Sequence, residues 1–297
     1  MKERFLNSKY RKPFLYSLFF FAAFLLFLYS TFPTEGIKRQ VVSVIAANTP
    51  FEAEAQSVGI APLLSVSIKG LKLYKSKDNV IEIESLKVSP SVFSVFSDNP
   101  KFPFKAKLGG GEIKGAFRIN KSGGGIVELS ADIKNVNIDK ISAFLSGPGD
   151  SVALAGVIEG ELDIDFAPEA RGDFYIRING LEVDKLSVKG IKLPSFSGLK
   201  SVFKGNIEGR KTTISECYVN GDGIDLQISG TAPLLWEFSK GGVIDLGYRL
   251  EITGEEFATY KGLLSPYLAK QRDGSLGGKI LGTVSNPRFE KGSTKKF

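Results

Sequence analysis

Apolar and polar residues alternate along much of the chain from about residue 51 onward. The segments 51–60, 63–76 and 79–90 are FEAEAQSVGI, LLSVSIKGLKLYKS and NVIEIESLKVSP. Because residues two apart share one face of a strand, this period of two predicts half-buried β-strands. The Pro- and Phe-rich stretch 91–105, SVFSVFSDNPKFPFK, interrupts the pattern and is predicted to be a connection or a short helix.

Helical spacing occurs in a few shorter segments. Residues 137–146 place Ile138, Ile141 and Phe144 on one face, with Asn137 as a candidate N-cap. Residues 255–271 show a second such face, with a kink expected at Pro266, and residues 36–48 have helical spacing that would prolong a preceding helix. The body is therefore predicted to be mainly β with one or two short helices.

Parts of the chain recur at a fixed offset of 45 residues. GEIKGAFRIN at 111–120 matches GVIEGELDID at 156–165, and IKNVNIDKIS at 133–142 matches INGLEVDKLS at 178–187. Two matches at one offset predict a duplicated β unit, near 111–155 and 156–200.

The motif Gly-x-Ile-x-Gly begins at residues 111, 156, 205 and 278 and resembles a phosphate-binding loop only superficially. A P-loop requires Gly-x-x-x-x-Gly-Lys-Ser/Thr, and a dinucleotide-binding turn opens a helix, whereas these glycines open strand patterns. We therefore predict structural glycines: the first suits a turn with positive φ, and the second permits a bulge or a close neighbour.

The alternation after these glycines defines an apolar face and a polar face. The polar face of the second copy carries Glu159, Glu161, Asp163 and Asp165, which we interpret as a solvated strand face rather than a calcium site. The candidate groove residues for a lipid or a partner are the apolar ones: Ile113, Phe117, Ile119, Leu162, Ile164, Phe166, Phe174, Ile176 and Ile178.

Residues 14–32, FLYSLFFFAAFLLFLYSTF, form a 19-residue stretch without charge. At 1.5 Å per residue a helix of this length spans about 28 Å, close to the thickness of a bilayer core. The basic residues of segment 1–12 all precede it, so the positive-inside rule predicts a cytoplasmic N-terminus. The rival interpretation is a cleaved signal peptide, which the long apolar run and the absence of a small-x-small site disfavour.

Composition excludes several classes of function. Segment 1–12 carries +4 of the total net charge of +7, so the remaining 285 residues lack the basic surface that nucleic-acid binding needs. The chain has no histidine and one cysteine, Cys217, which rules out an internal disulfide and the commonest general base. We expect no enzymatic activity, no cofactor and no metal.

Several segments together resemble a known family. They are residues 58–91 (VGIAPLLSVSIKGLKLYKSKDNVIEIESLKVSPS), 104–120 (FKAKLGGGEIKGAFRIN), 219–234 (VNGDGIDLQISGTAPL) and 277–290 (GGKILGTVSNPRFE). In this order, behind one N-terminal anchor, they resemble the type II secretion system protein N family (GspN) and, more distantly, the AsmA-like periplasmic proteins. The resemblance implies a long, twisted, incompletely closed antiparallel sheet, and it supplies no catalytic residue.

Two functions follow as expectations. The first is a non-enzymatic, inner-membrane-anchored accessory component of a type II secretion system, which would act as a scaffold for other secretion proteins, with β-augmentation at its edge strands. The second is an AsmA-like lipid-binding or lipid-transfer protein that carries phospholipid acyl chains on the apolar face. A closed core remains the structural alternative for that face, and a lipid groove predicts apolar surface left accessible to solvent.

The expected organisation has five parts. Residues 1–12 form a cytoplasmic basic tail, 13–33 a transmembrane anchor and 34–50 a membrane-proximal segment. Residues 51–290 form a periplasmic β domain, and 291–297 form a loose tail.

Overall fold

A computed structural model describes most of the β domain and part of the N-terminal region. The described residues are 13–20, 23, 27, 34–48, 51–61, 65–76, 79–91, 94, 96–122, 125–141, 152–185, 187–188, 191–221, 223–234, 242–254, 262, 268–283 and 286–291.

Helical residues precede a long series of strands, and they include 13–20, 23 and 27 of the predicted anchor. Helix α1 spans Thr34–Asn48. The first strands are β1 (Glu52–Ala61), β2 (Ser65–Ser76), β3 (Asn79–Val88), β4 (Lys101–Leu108), β5 (Gly111–Ile119) and β6 (Ile126–Asn137), followed by a 3-10 turn at Ile138–Lys140. The next are β7 (Ala153–Asp165), β8 (Arg171–Asp184), β9 (Ser187–Val188), β10 (Ile191–Lys192), β11 (Phe196–Glu208) and β12 (Lys211–Gly221). The last are β13 (Ile224–Pro233), β14 (Val243–Ile252), β15 (Ala269–Lys270), β16 (Leu276–Thr283) and β17 (Asn286–Lys291).

Fifteen of these strands form one antiparallel sheet that does not close. Strands β1 to β8 pair in chain order, β8 pairs with β11, and the series continues through β14 to β16, which pairs with both β15 and β17. Strands β9 and β10 form a separate two-stranded ribbon. Among the described strands, β1 pairs only with β2 and β17 only with β16, so the sheet keeps two ends, as expected for an incompletely closed sheet.

The alternation of apolar and polar residues predicted the first strands correctly, because β1 to β3 occupy the three alternating segments. The interpretation of residues 91–105 was wrong in part, since residues 101–108 form β4. Pro103 lies just beyond the last pair of the β3–β4 ladder, Val88 with Phe104, where a proline is better tolerated, and its carbonyl accepts a hydrogen bond from the Ser89 N–H at 2.9 Å.

The duplicated segments pair in the same register. Ile113 faces Ile133 across β5 and β6, and Ile158 faces Ile178 across β7 and β8, each 45 residues later. Phe117 and Leu129 likewise correspond to Leu162 and Phe174. The two hairpins therefore repeat one pairing pattern, while the unit boundaries near 111–155 and 156–200 stay a prediction.

The predicted helices are shorter than expected or lie outside the described residues. Residues 138–140 form only a 3-10 turn, and the Asn137 side chain makes no capping hydrogen bond. Its Nδ2 instead donates to Gly109 O at 2.8 Å, which ties the turn to the start of β5. Residues 142–146 and most of 255–271 lie outside the described residues, although 269–270 belong to β15.

The predicted segments 1–12 and 292–297 lie outside the described residues, and the anchor 13–33 is described only at 13–20, 23 and 27. Within the described part of the chain, no helix has the length and apolar character needed to cross a membrane. The anchor and the periplasmic location stay predictions.

Within the described part of the chain, buried apolar residues collect in three clusters along the sheet. One lies under α1 around Ala55, Val58, Ile68 and Leu71. A second, around Leu181, Leu199, Ile252 and Leu276, lies at one end of strands β8 to β16. A third joins Ile164, Ile207 and Leu234 at the opposite strand ends. Leu181 of the second cluster lies near the end of β8, and Ile164 of the third cluster pairs with Gly172 near the start of β8. The two clusters therefore lie on either side of the middle of the apolar face.

Candidate functional site

One face of the sheet is apolar from β1 to β16. Directly opposed residues in an antiparallel sheet lie on the same face, so the register identifies this face strand by strand. One row across it runs through Phe104, Gly115, Ala131, Leu162 and Phe174 in successive strands β4 to β8. Counting β1 and β16 themselves, thirteen neighbouring strands form this part of the sheet. With about 4.8 Å between neighbouring strands, the face is roughly 58 Å wide across the strands.

All nine residues predicted for the groove lie on this face. Leu162 pairs with Phe174, and Ile178 pairs with Ile158 in the same two strands. Ile113 and Phe117 lie two strands away, with Ile133 and Leu129 of β6 between. Ile119 and Ile176 continue β5 and β8 on the same side, and Phe166 packs beside Ile164 just after β7.

The burial of these nine residues distinguishes a filled core from an accessible face. Only Ile164 is buried, at 2% exposure, and the other eight are half-buried. A closed core would bury them all, because core side chains are surrounded on every side. The apolar face therefore remains partly accessible to solvent along β5, β7 and β8.

Glycines on this face make room for aromatic rings. Phe104 lies across Gly115, and Phe174 lies across Gly205, so that each ring Cζ is 2.8 Å from the position a glycine Cβ would occupy. The carbonyl oxygens of Ser130 and Thr213 approach these two positions still more closely. The prediction of a close neighbour at the second glycine of the motif is confirmed for Gly115, and an aromatic ring across a glycine is a known stabilising arrangement in sheets.

The positive-φ prediction for the first glycine of the motif holds at one copy only. Gly156 has a φ of 134°, but Gly111 is not in the positive-φ region, and the turn before it is made by Gly109 and Gly110. Sequence spacing alone does not tell a turn glycine from one that merely follows the turn.

The face is larger than the nine predicted residues. The pairing register adds Leu129 and Ile133 of β6. On the other side of β8 the face continues through Phe203 of β11, Cys217 of β12, Ile228 of β13 and Tyr248 of β14, each paired with the next. The same alternation that identified the nine residues marks these as well, but only the strand order shows that they continue the same row.

The opposite face is polar, and its charges lie in strips. Lys87, Lys105 and Lys114 face one another in β3, β4 and β5. Asp132 faces Glu161, and Asp163 faces Asp173, in the neighbouring strands β6 to β8. The predicted acidic row 159–165 is thus the polar face of β7, opposite the apolar residues, as the alternation indicated.

Ion pairs neutralise part of these strips. Arg118 Nε lies 2.9 Å from Glu128 Oε2, and Lys134 Nζ lies 2.8 Å from Asp132 Oδ2. Glu112 is paired with both Lys105 and Lys114, whose hydrogen bonds lower its pKa to about 2. Because these side chains keep 26–63% of their surface in contact with solvent, the pairs orient side chains more than they stabilise the fold.

A cavity of about 760 Å³ opens between β5 and β11. Most of its lining residues belong to the polar face, among them Lys114, Asp132, Glu161, Tyr175 and Lys204. Its lining also includes Ala131, Leu162 and Phe174 of the apolar row, and more of the lining surface is apolar than polar, so the cavity is not a purely polar site. In the described part of the chain, no group of three or more carboxylate, cysteine or histidine side chains is arranged to hold a metal ion.

Two further polar features have structural explanations. Cys217 is buried on the apolar face, and burial raises the pKa of its thiol to about 11, which keeps it in the unreactive thiol form. Asp273 accepts hydrogen bonds from Ser275 Oγ at 2.6 Å and Arg249 Nη2 at 2.9 Å, and these bonds lower the pKa of its carboxyl group to about 2. This network holds the turn between β15 and β16.

Comparison with known proteins yields no relative: no family model matches the chain, and neither a curated protein nor a solved structure has significant similarity to it.

Proposed function

We propose that this protein binds the acyl chains of phospholipids along the apolar face of its sheet and carries them in the manner of a lipid-transfer protein. The observation that supports this proposal is the apolar face itself. It is continuous in register across β1 to β16, yet at eight of the nine predicted positions it is only half-buried. Soluble proteins rarely leave so extensive an apolar surface accessible without a ligand or partner for it.

Acyl chains suit the shape and chemistry of this face. A chain of about 16 carbons is roughly 20 Å long, so a face of about 58 Å has room for chains placed end to end across the strands. Each methylene removed from water contributes about 0.8 kcal/mol, which gives a bound chain a gross gain of about 12 kcal/mol before its own ordering is subtracted. The polar face, with its paired charges, would remain in water.

Purification of the full-length chain tests this proposal. We expect an organic extract of the protein, and native mass spectrometry of the intact sample, to contain at least one phospholipid per chain. Exposure to lipid-free detergent should remove the lipid, and incubation with vesicles of phosphatidylethanolamine and phosphatidylglycerol should restore it. A protein that remains lipid-free after incubation with vesicles would contradict the proposal.

A second candidate function is that of a scaffold within a type II secretion system, as the resemblance to the GspN family implies. The free edge of the sheet favours it. All six residues of β17 are exposed, and Phe289 of this strand retains 47% of its surface. An incoming strand could pair with this edge by β-augmentation, although the charges of Arg288 and Glu290 and the presence of Pro287 are features that protect edges from unselective pairing.

A further inference from the structure

Helix α1 covers one end of the apolar face. Its side chains Val41, Val42 and Ile45 pack against the buried cluster formed by β1 and β2. The residues of that cluster are the apolar-face positions of these strands, because Val58 pairs with Ile68 and Ala55 with Leu71. They are 2–7% exposed, far less than the half-buried positions of β5 and β8.

The helix therefore occupies the first part of the same surface that we assign to acyl chains. Ile83 and Leu86 of β3 also pack against this cluster, and they pair with Leu71 and Ile68 of β2. Beyond β3 the face continues through Phe104 and Ala106 of β4, where the described chain places no helix on it. The chain order puts α1 directly after the apolar segment 14–32, so the covered end is the one nearest the predicted anchor.

Among the described side chains, three apolar residues of α1 contact the strands. Val41, Val42 and Ile45 are each only half-buried in the contact. A polar contact beside them is long and exposed, a hydrogen bond from Lys38 Nζ to Gln56 O at 3.4 Å. An acyl chain of about 16 carbons offers apolar surface that can cover the same positions of β1 and β2 as these side chains.

We propose that α1 is a displaceable lid: it closes the membrane-side end of the apolar face and moves aside when a lipid enters from the bilayer. This inference rests on the proposed lipid-binding function. In the closed state the valine and isoleucine side chains of α1 occupy the positions that acyl methylenes take in the open state. A lipid that enters from the membrane can reach the face only after α1 leaves β1 and β2. A lipid already bound beyond β4 can stay in place while α1 is closed.

Locking the helix in place tests the proposal. In Lys38→Cys/Gln56→Cys, a bis-maleimide linker would join α1 to β1 beside the contact of the Lys38 side chain with the Gln56 backbone carbonyl. The native Cys217 is buried with a raised pKa and should not consume the reagent. The full-length variant is placed in vesicles of phosphatidylethanolamine and phosphatidylglycerol. The vesicles contain a trace of phospholipid with a photoreactive diazirine in its acyl chain. After illumination, the labelled peptides of β5 to β8 are quantified.

We expect the linker to reduce labelling of β5 to β8 at least tenfold, and the same variant without the linker to label like the wild type. A matched control, Glu54→Cys/Lys72→Cys, joins directly opposed residues of β1 and β2 and leaves α1 free, so its labelling should not change when it is linked. Equal labelling of the locked and unlocked forms would overturn the lid and leave lipid binding intact. Absence of label from β5 to β8 in every form would overturn lipid binding, and the lid with it.

Discussion

Replacement of Gly115 or Gly205 by alanine is expected to lower the free energy of unfolding by about 2 kcal/mol, within the usual range for overpacking a well-packed site. At each position the added Cβ would meet the Cζ of a cross-strand phenylalanine at 2.8 Å and a backbone carbonyl oxygen at a still shorter distance. The ring can shift, but the paired strand cannot, so the clash must distort the sheet. Chemical denaturation followed by circular dichroism measures the effect.

The control for this prediction is Gly59→Ala in β1. No atom lies within 4 Å of a Cβ built at Gly59, and its φ is not in the positive region. Alanine there should leave stability unchanged or raise it slightly, because it restricts the unfolded chain. If Gly115→Ala and Gly59→Ala unfold at the same denaturant concentration, the close packing of Phe104 on Gly115 does not stabilise this sheet.

The largest effect on function is expected from two polar substitutions in the middle of the apolar face. Leu162 and Phe174 are directly opposed in β7 and β8, and both are half-buried. In Leu162→Gln/Phe174→Gln, two amide groups would contact the acyl chain without hydrogen-bond partners, at about 1–3 kcal/mol each. The amount of phospholipid that copurifies with the full-length chain should fall at least tenfold, as measured by mass spectrometry of an organic extract.

The same two strands supply a matched control. Asp163 and Asp173 are directly opposed on the polar face. The variant Asp163→Gln/Asp173→Gln introduces the same two side chains there and also removes a like-charge pair, so it should fold at least as well as the wild type and retain its lipid. Equal lipid loss in both variants would mean that the apolar face is not where the lipid lies.

The alternation of side chains was sufficient to predict strands β1 to β3 and the two faces of the hairpins that follow. These features depend on neighbouring residues and on the fixed geometry of a strand. For the same reason the 45-residue offset in the sequence reappears as a shared register in the sheet.

Features that depend on distant parts of the chain were not predicted. The segment 101–108 contains Pro103 and follows an irregular stretch, so it was interpreted as a connection, but pairing with β3 and β5 on both sides makes it a strand. Asn137 was expected to cap a helix and instead binds the carbonyl group of Gly109, 28 residues away. The alternation identifies an apolar face but contains no information about what covers it, and only the fold shows that α1 covers β1 and β2 while the middle of the face stays half-buried.

The most direct test of the central claim is to locate bound acyl chains at single residues. Full-length protein is loaded from vesicles that contain the diazirine-labelled phospholipid, illuminated, digested and sequenced by tandem mass spectrometry. If acyl chains lie on the apolar face, label appears on residues of β5 to β8 such as Phe117, Leu129 and Phe174, and none appears on their polar-face neighbours Arg118, Glu128 and Asp173. Label spread equally over both faces, or no label in these strands, would contradict this claim and would direct attention to the exposed edge at β17.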